Sequence, residues 1–341
     1  MKKFPKITIL STLFVLLIVG LFNYTIDPLW NFTHKNKFNQ YQMGIDERQG
    51  KTNVINFRNF NYNALMIGTS RVTYINQNDL KDYKAFNYAV AKMRPCEYND
   101  YTQYAKEKNK KEFNIIFLGI DMTSAEYIKS DEYKTQKEYR EISESFLYRY
   151  KTLFSIDTLR YSFKNFKNVV FEKYKKRIQT YDRDIIVHSY PKSAEFVNSD
   201  IAPYLSDATL MYDEDYKQRL LDLKKNNPNT KFYIFTTPIT SIRLLKRLSN
   251  DKNLDFYTRW LKETVEVFGE VYNFTTLNKV TKNYTKTFTG VSHFYPYVGT
   301  HIVNKVFNYE DDDKFYKDFG QKLTEHNFDE EIAKVVKSLK Q

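Results

Sequence analysis

Ser70 has the sequence setting of a nucleophile. The motif Gly68-Thr69-Ser70-Arg71 directly follows the short apolar run 64–68, and ligands of open α/β sheets bind at the carboxyl ends of strands. A tight turn at that point exposes the serine Oγ, and the backbone N–H groups that follow can bind an oxyanion. The same residues also suit a helix that begins with Ser70 as its N-cap. The local sequence alone favours this second interpretation.

His293 is the candidate base for that serine. A serine hydroxyl becomes nucleophilic at neutral pH when a base such as histidine lies within hydrogen-bond reach. The chain has five histidines, and His293 is the one in a loop, 290–296, directly before an amphipathic stretch, 298–307. A lone loop histidine is more often structural or solvated. The interpretation of His293 as a base therefore depends on Ser70.

A repeating pattern of short apolar runs indicates how these residues are positioned. The runs lie at 64–68, 86–90, 114–119, 231–236 and 271–274. Helical patterns lie between them at 95–108, 216–225 and 254–268. This alternation is typical of an α/β fold in which helices cover both faces of a parallel sheet. Residues 122–212 interrupt the pattern, and we interpret them as a helical insertion with helices near 139–150 and 163–174.

The first 26 residues predict a membrane anchor that is not cleaved. Residues 7–26 carry no charge, and 20 helical residues span about 30 Å, the hydrocarbon thickness of a bilayer. Lys2, Lys3 and Lys6 precede the run, so the positive-inside rule places the N-terminus in the cytoplasm and the rest of the chain outside. A cleaved signal peptide would need small residues at its end, and this run ends in bulky ones. We divide the chain into an anchor (1–26), a juxtamembrane segment (27–60), an α/β domain (61–308) and a charged tail (309–341) that ends in a surface helix near 329–339.

Composition limits the partners and cofactors. The net charge of +12 favours anionic neighbours such as lipid headgroups or a polyanionic cell-wall polymer. Zinc-knuckle spacing, an arginine-rich arm and a single basic helix are all absent from the sequence, so we expect no nucleic-acid binding. Cys96 is the only cysteine, which excludes an intramolecular disulfide and a cysteine-based metal site. The acidic run 311–313 is expected to be solvated, so we expect neither a metal nor a cofactor.

The order and spacing of five motifs resemble the SGNH (GDSL-like) hydrolase superfamily. These motifs are GTSR, FNYAV, FLGID and FTTPI after or within successive runs, and SHF before the last helix of the domain. The sequence is most similar to the membrane-anchored branch involved in acylating cell-surface polymers, which includes alginate O-acetylation proteins and the D-alanyl-teichoic-acid protein. The similarity covers about residues 60–307. It implies an SGNH/flavodoxin-like fold with Ser70 as nucleophile and His293 as general base. We expect the oxyanion or the substrate to be bound in or directly after these motifs, by Gly68, Arg71, Asn87, Lys92 and Asp121.

Three positions depart from the family pattern. Gly290 stands where the family places an aspartate three residues before its histidine, and Lys92 lies in a segment where glycine is common. Asp121 replaces an asparagine whose amide would donate to the oxyanion, which a carboxylate cannot do. A Ser–His dyad still turns over without the third residue. We expect Asp121 to orient His293, with a backbone carbonyl near Thr289 as the second candidate.

The resemblance implies a membrane-anchored acyl esterase or O-acyltransferase that acts outside the cytoplasm. The expected substrate is a cell-surface polysaccharide or teichoic-type polymer, and the expected partner is a membrane-bound O-acyltransferase. One alternative is a catalytically inactive subunit that keeps the fold and binds or assembles the polymer-modifying system. Another is a carbohydrate-binding envelope protein, because the chain has 29 tyrosines and 27 phenylalanines.

Overall fold

The chain forms two compact units. The computed structural model describes residues 3–43, 46–128, 133–171, 178–180, 185–186, 205–290, 292–309 and 317–339. The first unit comprises Met1–Asn61 and Lys134–His188, and the second comprises Tyr62–Tyr133 and Ser189–Gln341. The predicted juxtamembrane segment and much of the predicted insertion thus belong to one unit. Along the chain, the segments of the two units alternate.

Nine strands are found in the described residues. They are β1 (Tyr41–Met43), β2 (Ala64–Gly68), β3 (Ala85–Asn87), β4 (Ile115–Ile120), β5 (Ile178–Thr180), β6 (Ile185–Ile186), β7 (Lys231–Thr236), β8 (Glu270–Asn273) and β9 (Gln321–Thr324).

Thirteen helices are found in the described residues, three of which match the patterns predicted at 95–108, 216–225 and 254–268. They are α1 (Lys3–Ile26), α2 (Glu47–Phe57), α3 (Pro95–Asn109), α4 (Gln136–Glu144), α5 (Tyr148–Lys151), α6 (Ile156–Phe171), α7 (Tyr216–Lys225), α8 (Ser241–Arg247), α9 (Asp251–Phe268), α10 (Lys279–Lys282), α11 (Tyr284–Thr287), α12 (Pro296–Phe307) and α13 (Phe328–Leu339). The single helix predicted near 139–150 is instead divided into α4 and α5, because Ser145 and Leu147 between them leave the right-handed helical conformation.

The first unit begins with a helix that is long and apolar enough to cross a bilayer. The apolar stretch of α1, Pro5–Ile26, has a mean hydropathy of 2.2, and its side chains are exposed from residue 5 to residue 18. The helix ends where Asp27 takes a φ of 45° and its carboxylate accepts the backbone N–H groups of Asn31 and Phe32. The rest of this unit contains α2, α4 to α6 and the three-stranded antiparallel sheet β1-β5-β6.

The second unit is a mixed α/β structure around a mostly parallel sheet. Its six strands have the order β3-β2-β4-β7-β8-β9, and all neighbours are parallel except β8 and β9. Counted along the chain, the five parallel strands have the order 2-1-3-4-5. In this order the connections reverse direction between β2 and β4, and ligands of doubly wound sheets bind at the carboxyl ends of the strands that flank such a point.

Both faces of the central strands are covered. Every residue of β2 and β4 is buried, and successive side chains of a strand point to opposite faces. On one face, Ala64 and Met66 of β2 pack in a cluster with Val298 and Ile302 of α12. This continuous burial explains why the sequence shows unbroken apolar runs rather than alternation.

The predicted charged tail agrees with the structure only in part. The helix predicted near 329–339 is α13, whereas β9, which pairs antiparallel with β8, was not predicted. The central sheet therefore extends beyond residue 308. The acidic run 311–313 lies outside the described residues.

Candidate active site

Ser70 lies on the turn that directly follows β2. Gly68 ends the strand with a φ of +146°, and a Cβ there would lie 2.4 Å from the Gly119 carbonyl oxygen of β4. Only glycine fits such a close approach. The turn continues into a 3₁₀ segment, Val72–Tyr74, whose N-cap is Arg71 with no side-chain capping bond. The interpretation of Ser70 as the N-cap of a helix is therefore wrong.

The Ser70 hydroxyl meets the His293 ring. Ser70 Oγ lies 2.9 Å from His293 Nε2, although the residues are 223 positions apart in sequence. The predicted contact between these two side chains is confirmed. It lies at the carboxyl edge of the sheet, next to β2 and β4, between which the connections reverse direction. With Nε2 unprotonated, the hydroxyl donates to the ring, which is the geometry a general base needs. In the described residues, the Ser70 backbone N–H has no hydrogen-bond acceptor, so it remains available to an oxyanion.

Two neighbours hold His293 in place. The Tyr74 ring stacks on the imidazole, with centroids 4.7 Å apart and planes 20° apart. The Thr289 backbone N–H donates to the His293 carbonyl oxygen at 2.8 Å, and the Thr289 hydroxyl lies 3.2 Å from the same oxygen. The loop that carries the histidine is thus fixed in both its ring and its backbone. The role predicted for a backbone carbonyl near Thr289 stays a prediction.

Asp121 does not orient the histidine as predicted. One carboxylate oxygen accepts the Thr69 hydroxyl at 2.6 Å. The other lies 2.7 Å from Arg71 Nη1 and also accepts the Thr237 hydroxyl. The prediction that Asp121 is the direct partner of His293 is wrong, because in the described residues its carboxylate contacts Thr69, Arg71 and Thr237 instead. Asp121 does lie directly after β4, as the sequence predicts.

Arg71 connects this carboxylate to the histidine loop. Its side chain is almost completely buried, and its Nε donates to the Ser292 carbonyl oxygen at 2.9 Å. Ser292 directly precedes His293. Asp121 is therefore connected to His293 only indirectly, through the Arg71 side chain and the backbone of the loop.

Asn87 and Lys92 lie at the end of β3 and in the segment after it. The buried Asn87 amide donates to the carbonyl oxygens of Val72 and Ile75 at 2.9 and 3.0 Å. Asn87 thus holds the 3₁₀ segment that follows Ser70, while its contact with substrate stays a prediction. Lys92 is exposed and has a φ of 52°, a conformation that glycine adopts more easily. This backbone conformation explains why glycine suits the segment.

A basic cleft adjoins the Ser70–His293 pair. The cleft is small, with a volume of about 20 Å³, and is lined by Arg71, Met122, Thr123, Thr237, Ile239, Arg243, Arg247 and Thr275. Arg243 Nη1 donates to the Ser292 Oγ at 2.5 Å, so a second arginine binds the histidine loop. Among the described residues, the Arg247 side chain has no hydrogen bond or ion pair. Burial raises the pKa of Glu126 above its usual value, and the charges of Arg247 and Arg94 lower it by less.

Tyr98 is a buried hydroxyl near this edge of the sheet. Burial raises its pKa well above the usual value, and the nearby Tyr216 adds to the increase. Tyr98 therefore stays neutral across the physiological range and does not serve as a base. Ser70 and His293 remain the pair with suitable geometry.

Several residues of the site were not predicted from the sequence. Thr237 directly follows β7, so inspection of every strand end, which selected Ser70 and Asp121, also points to it. Tyr74 and Arg243 lie in a 3₁₀ segment and in α8, and no local signal marks either one.

Comparison with protein families and with curated proteins supplies no relative. No protein-family model matches the sequence, and no curated protein matches it. The functional argument therefore depends on the geometry of the site and on the resemblance of the motifs.

Proposed function

We propose that this chain is a membrane-anchored acyl esterase or O-acyltransferase of the SGNH type that acts outside the cytoplasm. The observation that carries the proposal is the 2.9 Å contact between Ser70 Oγ and His293 Nε2 at the carboxyl edge of a parallel sheet. The strand order 2-1-3-4-5, which places Ser70 beside the reversal point, supports it.

The chemistry follows from the two side chains. Ser70 Oγ attacks the acyl carbonyl carbon while its proton moves to His293 Nε2. The backbone N–H of Ser70 binds the oxyanion of the tetrahedral intermediate. The protonated histidine then gives its proton to the departing alcohol, which leaves an acyl-serine. A second hydroxyl group, from water or from an acceptor sugar or polyol, reverses these steps and regenerates the serine.

The basic cleft supports an anionic polymer as substrate. Arg71, Arg243 and Arg247 all line it, and a cleft of one charge sign raises the local concentration of substrates of the opposite sign. A cell-surface glycan with acidic groups or a teichoic-type polymer fits this charge. The anchor α1 would hold the site near such a polymer and near a membrane-bound O-acyltransferase, the partner we propose. The three lysines that precede the uncharged run 7–26 support an extracytoplasmic site.

Labelling with a fluorophosphonate and hydrolysis of an aryl acetate test the proposal. We expect wild-type protein to be labelled and to hydrolyse the ester, and Ser70→Ala to do neither. Thr73→Ser is a matched control, because it keeps the hydroxyl that donates to the Ser70 carbonyl. Failure of folded wild-type protein in both assays would exclude the esterase.

A catalytically inactive binding or assembly subunit is the second candidate. It is favoured by Gly290, which offers no carboxylate to the histidine, and by the engagement of Asp121 with Arg71. If Ser70→Ala leaves the polymer modification in cells unchanged while deletion of the chain abolishes it, this candidate is correct.

A further inference from the structure

The first unit exposes an apolar surface beside the C-terminal part of α1. We call it the juxtamembrane surface and define it by Phe154, which precedes α6, and by Ile156, Phe163 and Val170 of α6. Their exposed fractions are 52, 69, 50 and 47%. A group of large apolar side chains that are exposed side by side marks a surface for a protein partner or a membrane.

The exposed residues of α6 lie on one side of the helix. Ile156, Phe163 and Val170 recur every seven residues, which places them in a single stripe. Thr158, Ser162 and Asn165 are buried and lie on a different side of the helix. The helix therefore packs on its own unit through these polar residues and through Phe166, whose ring contacts those of Phe22 and Phe38. Its apolar stripe stays largely exposed, which is the reverse of a helix in a water-soluble domain.

This surface lies next to the segment of α1 that would cross the bilayer. A Cβ added to Gly20 would lie 3.0 Å from Phe154 Cε1. The Phe163 ring centroid lies 4.9 Å from that of Phe22. Gly20 is six residues before the end of α1 at Ile26, which is about 9 Å along the helix axis at ~1.5 Å per residue. If α1 spans a bilayer up to its end, Phe154 and Phe163 reach the depth of the acyl chains or of the interface.

Charge agrees with this placement. Residues 146–171 contain five basic residues and one acidic residue, and Arg160, Lys164 and Lys167 of α6 are exposed. On the helix these three cations border the apolar stripe. Helices with apolar and basic residues arranged in this way lie in the membrane interface, where the cations bind anionic headgroups.

We infer that the juxtamembrane surface is embedded in the lipid leaflet at which α1 leaves the bilayer. The occupant is lipid, with anionic headgroups bound by the cations of α6. The first unit thus has two membrane contacts, the crossing helix and α6. Two contacts restrict how the unit can tilt and rotate relative to the bilayer, which one flexible tether would not do.

Depth-dependent quenching of a fluorophore tests the inference on the full chain. The chain carries Cys96→Ser and one new cysteine, labelled with a nitrobenzoxadiazole dye, in vesicles of phosphatidylcholine and phosphatidylglycerol. The test positions are Phe163→Cys and Ile156→Cys. Met211→Cys is the matched control, because Met211 is also exposed but belongs to the second unit. Leu13→Cys, in the middle of α1, reports on the anchor itself.

We expect dyes at 156 and 163 to emit at shorter wavelength than the dye at 211. Brominated lipids should quench most of their fluorescence, and aqueous iodide should quench little. If iodide quenches both dyes as strongly as the dye at 211 while brominated lipid quenches the dye at 13, the surface faces water and the inference is wrong. Shielding from both quenchers would indicate that a second copy of the chain covers the surface, which also refutes it. If lipid does not reach the dye at 13, the anchor itself fails, and the inference fails with it.

Discussion

Replacement of Arg71 by methionine should destabilise the second unit and impair the site together. Arg71 Nη1 lies 2.7 Å from Asp121 Oδ1, and the side chains are 9 and 5% exposed. Loss of one partner of a buried ion pair leaves an uncompensated charge and costs about 3–5 kcal/mol. Asp121 keeps the hydroxyl groups of Thr69 and Thr237, so we expect the lower end, about 3 kcal/mol.

Two further variants separate stability from activity. Arg71→Met with Asp121→Asn removes both charges, so the free energy of unfolding should return to within about 1 kcal/mol of wild type. Ester hydrolysis should stay low in this double variant, because the Ser292 carbonyl has still lost the Arg71 Nε donor. Arg71→Lys keeps a positive charge for Asp121 but lacks the second donor group. We therefore expect it to unfold near the wild-type midpoint and to show a reduced kcat.

Denaturant titration in detergent micelles and aryl acetate hydrolysis are the measurements. A loss of about 3 kcal/mol corresponds to a Tm lower by about 6–12 °C for a domain of this size. Wild-type stability of the Arg71→Met single variant would refute the argument from the buried pair. Wild-type hydrolysis by the double variant would refute the argument that Arg71 positions the histidine loop.

Four other predictions follow from the same contacts. Tyr74→Ala should lower kcat about 10-fold because the imidazole loses its stacking partner, and Tyr74→Phe, which keeps the ring, should not; equal kinetics of the two variants would contradict this. Gly68→Ala should destabilise the chain by more than about 3 kcal/mol in denaturant titrations, since its Cβ would lie 2.4 Å from a backbone oxygen. Gly269→Ala is the control and should cost only about 1 kcal/mol, because a Cβ there meets nothing within 4 Å. Gly290→Asp should raise kcat for aryl acetate by supplying a carboxylate near the histidine, and Gly290→Asn should not; equal effects would show that charge is irrelevant there. A periplasmic-type reporter such as alkaline phosphatase fused after Gln341 should be active, and activity of only a cytoplasmic reporter at that position would overturn the predicted topology.

The sequence predicts the central sheet well because its strands are buried on both faces. The apolar runs at 64–68 and 231–236 coincide with β2 and β7. The edge strand β9 is different, because only Leu323 of its four residues is buried. One buried side chain leaves no periodic signal, so the residues after 308 are predicted as a tail. Strands β1, β5 and β6 are not predicted either, because two or three residues are too few to show a periodic pattern.

Site residues are predictable only where topology fixes them. The carboxyl ends of parallel strands meet at one edge of the sheet, which is why Ser70 and Asp121 lie at the same edge. The partner of the Asp121 carboxylate depends instead on where the Arg71 side chain turns, and the sequence does not encode that direction locally. The expectation that Asp121 contacts His293 fails for this reason.

The energetics of the Arg71–Asp121 pair bear on whether the site is built for chemistry. Burial of two charges costs desolvation, and well-packed apolar residues of similar volume are often equally stabilising. Stability of the sheet therefore gives no reason for the pair. The pair has a clear structural consequence, however. Asp121 holds the Arg71 side chain, and Arg71 Nε donates to the carbonyl oxygen of Ser292. The next residue is His293, whose Nε2 lies 2.9 Å from Ser70 Oγ. A subunit that only binds a polymer needs cationic groups facing the cleft, which Arg243 and Arg247 already supply. A buried pair that fixes a histidine beside a serine therefore supports the proposal of general-base catalysis over that of a binding subunit.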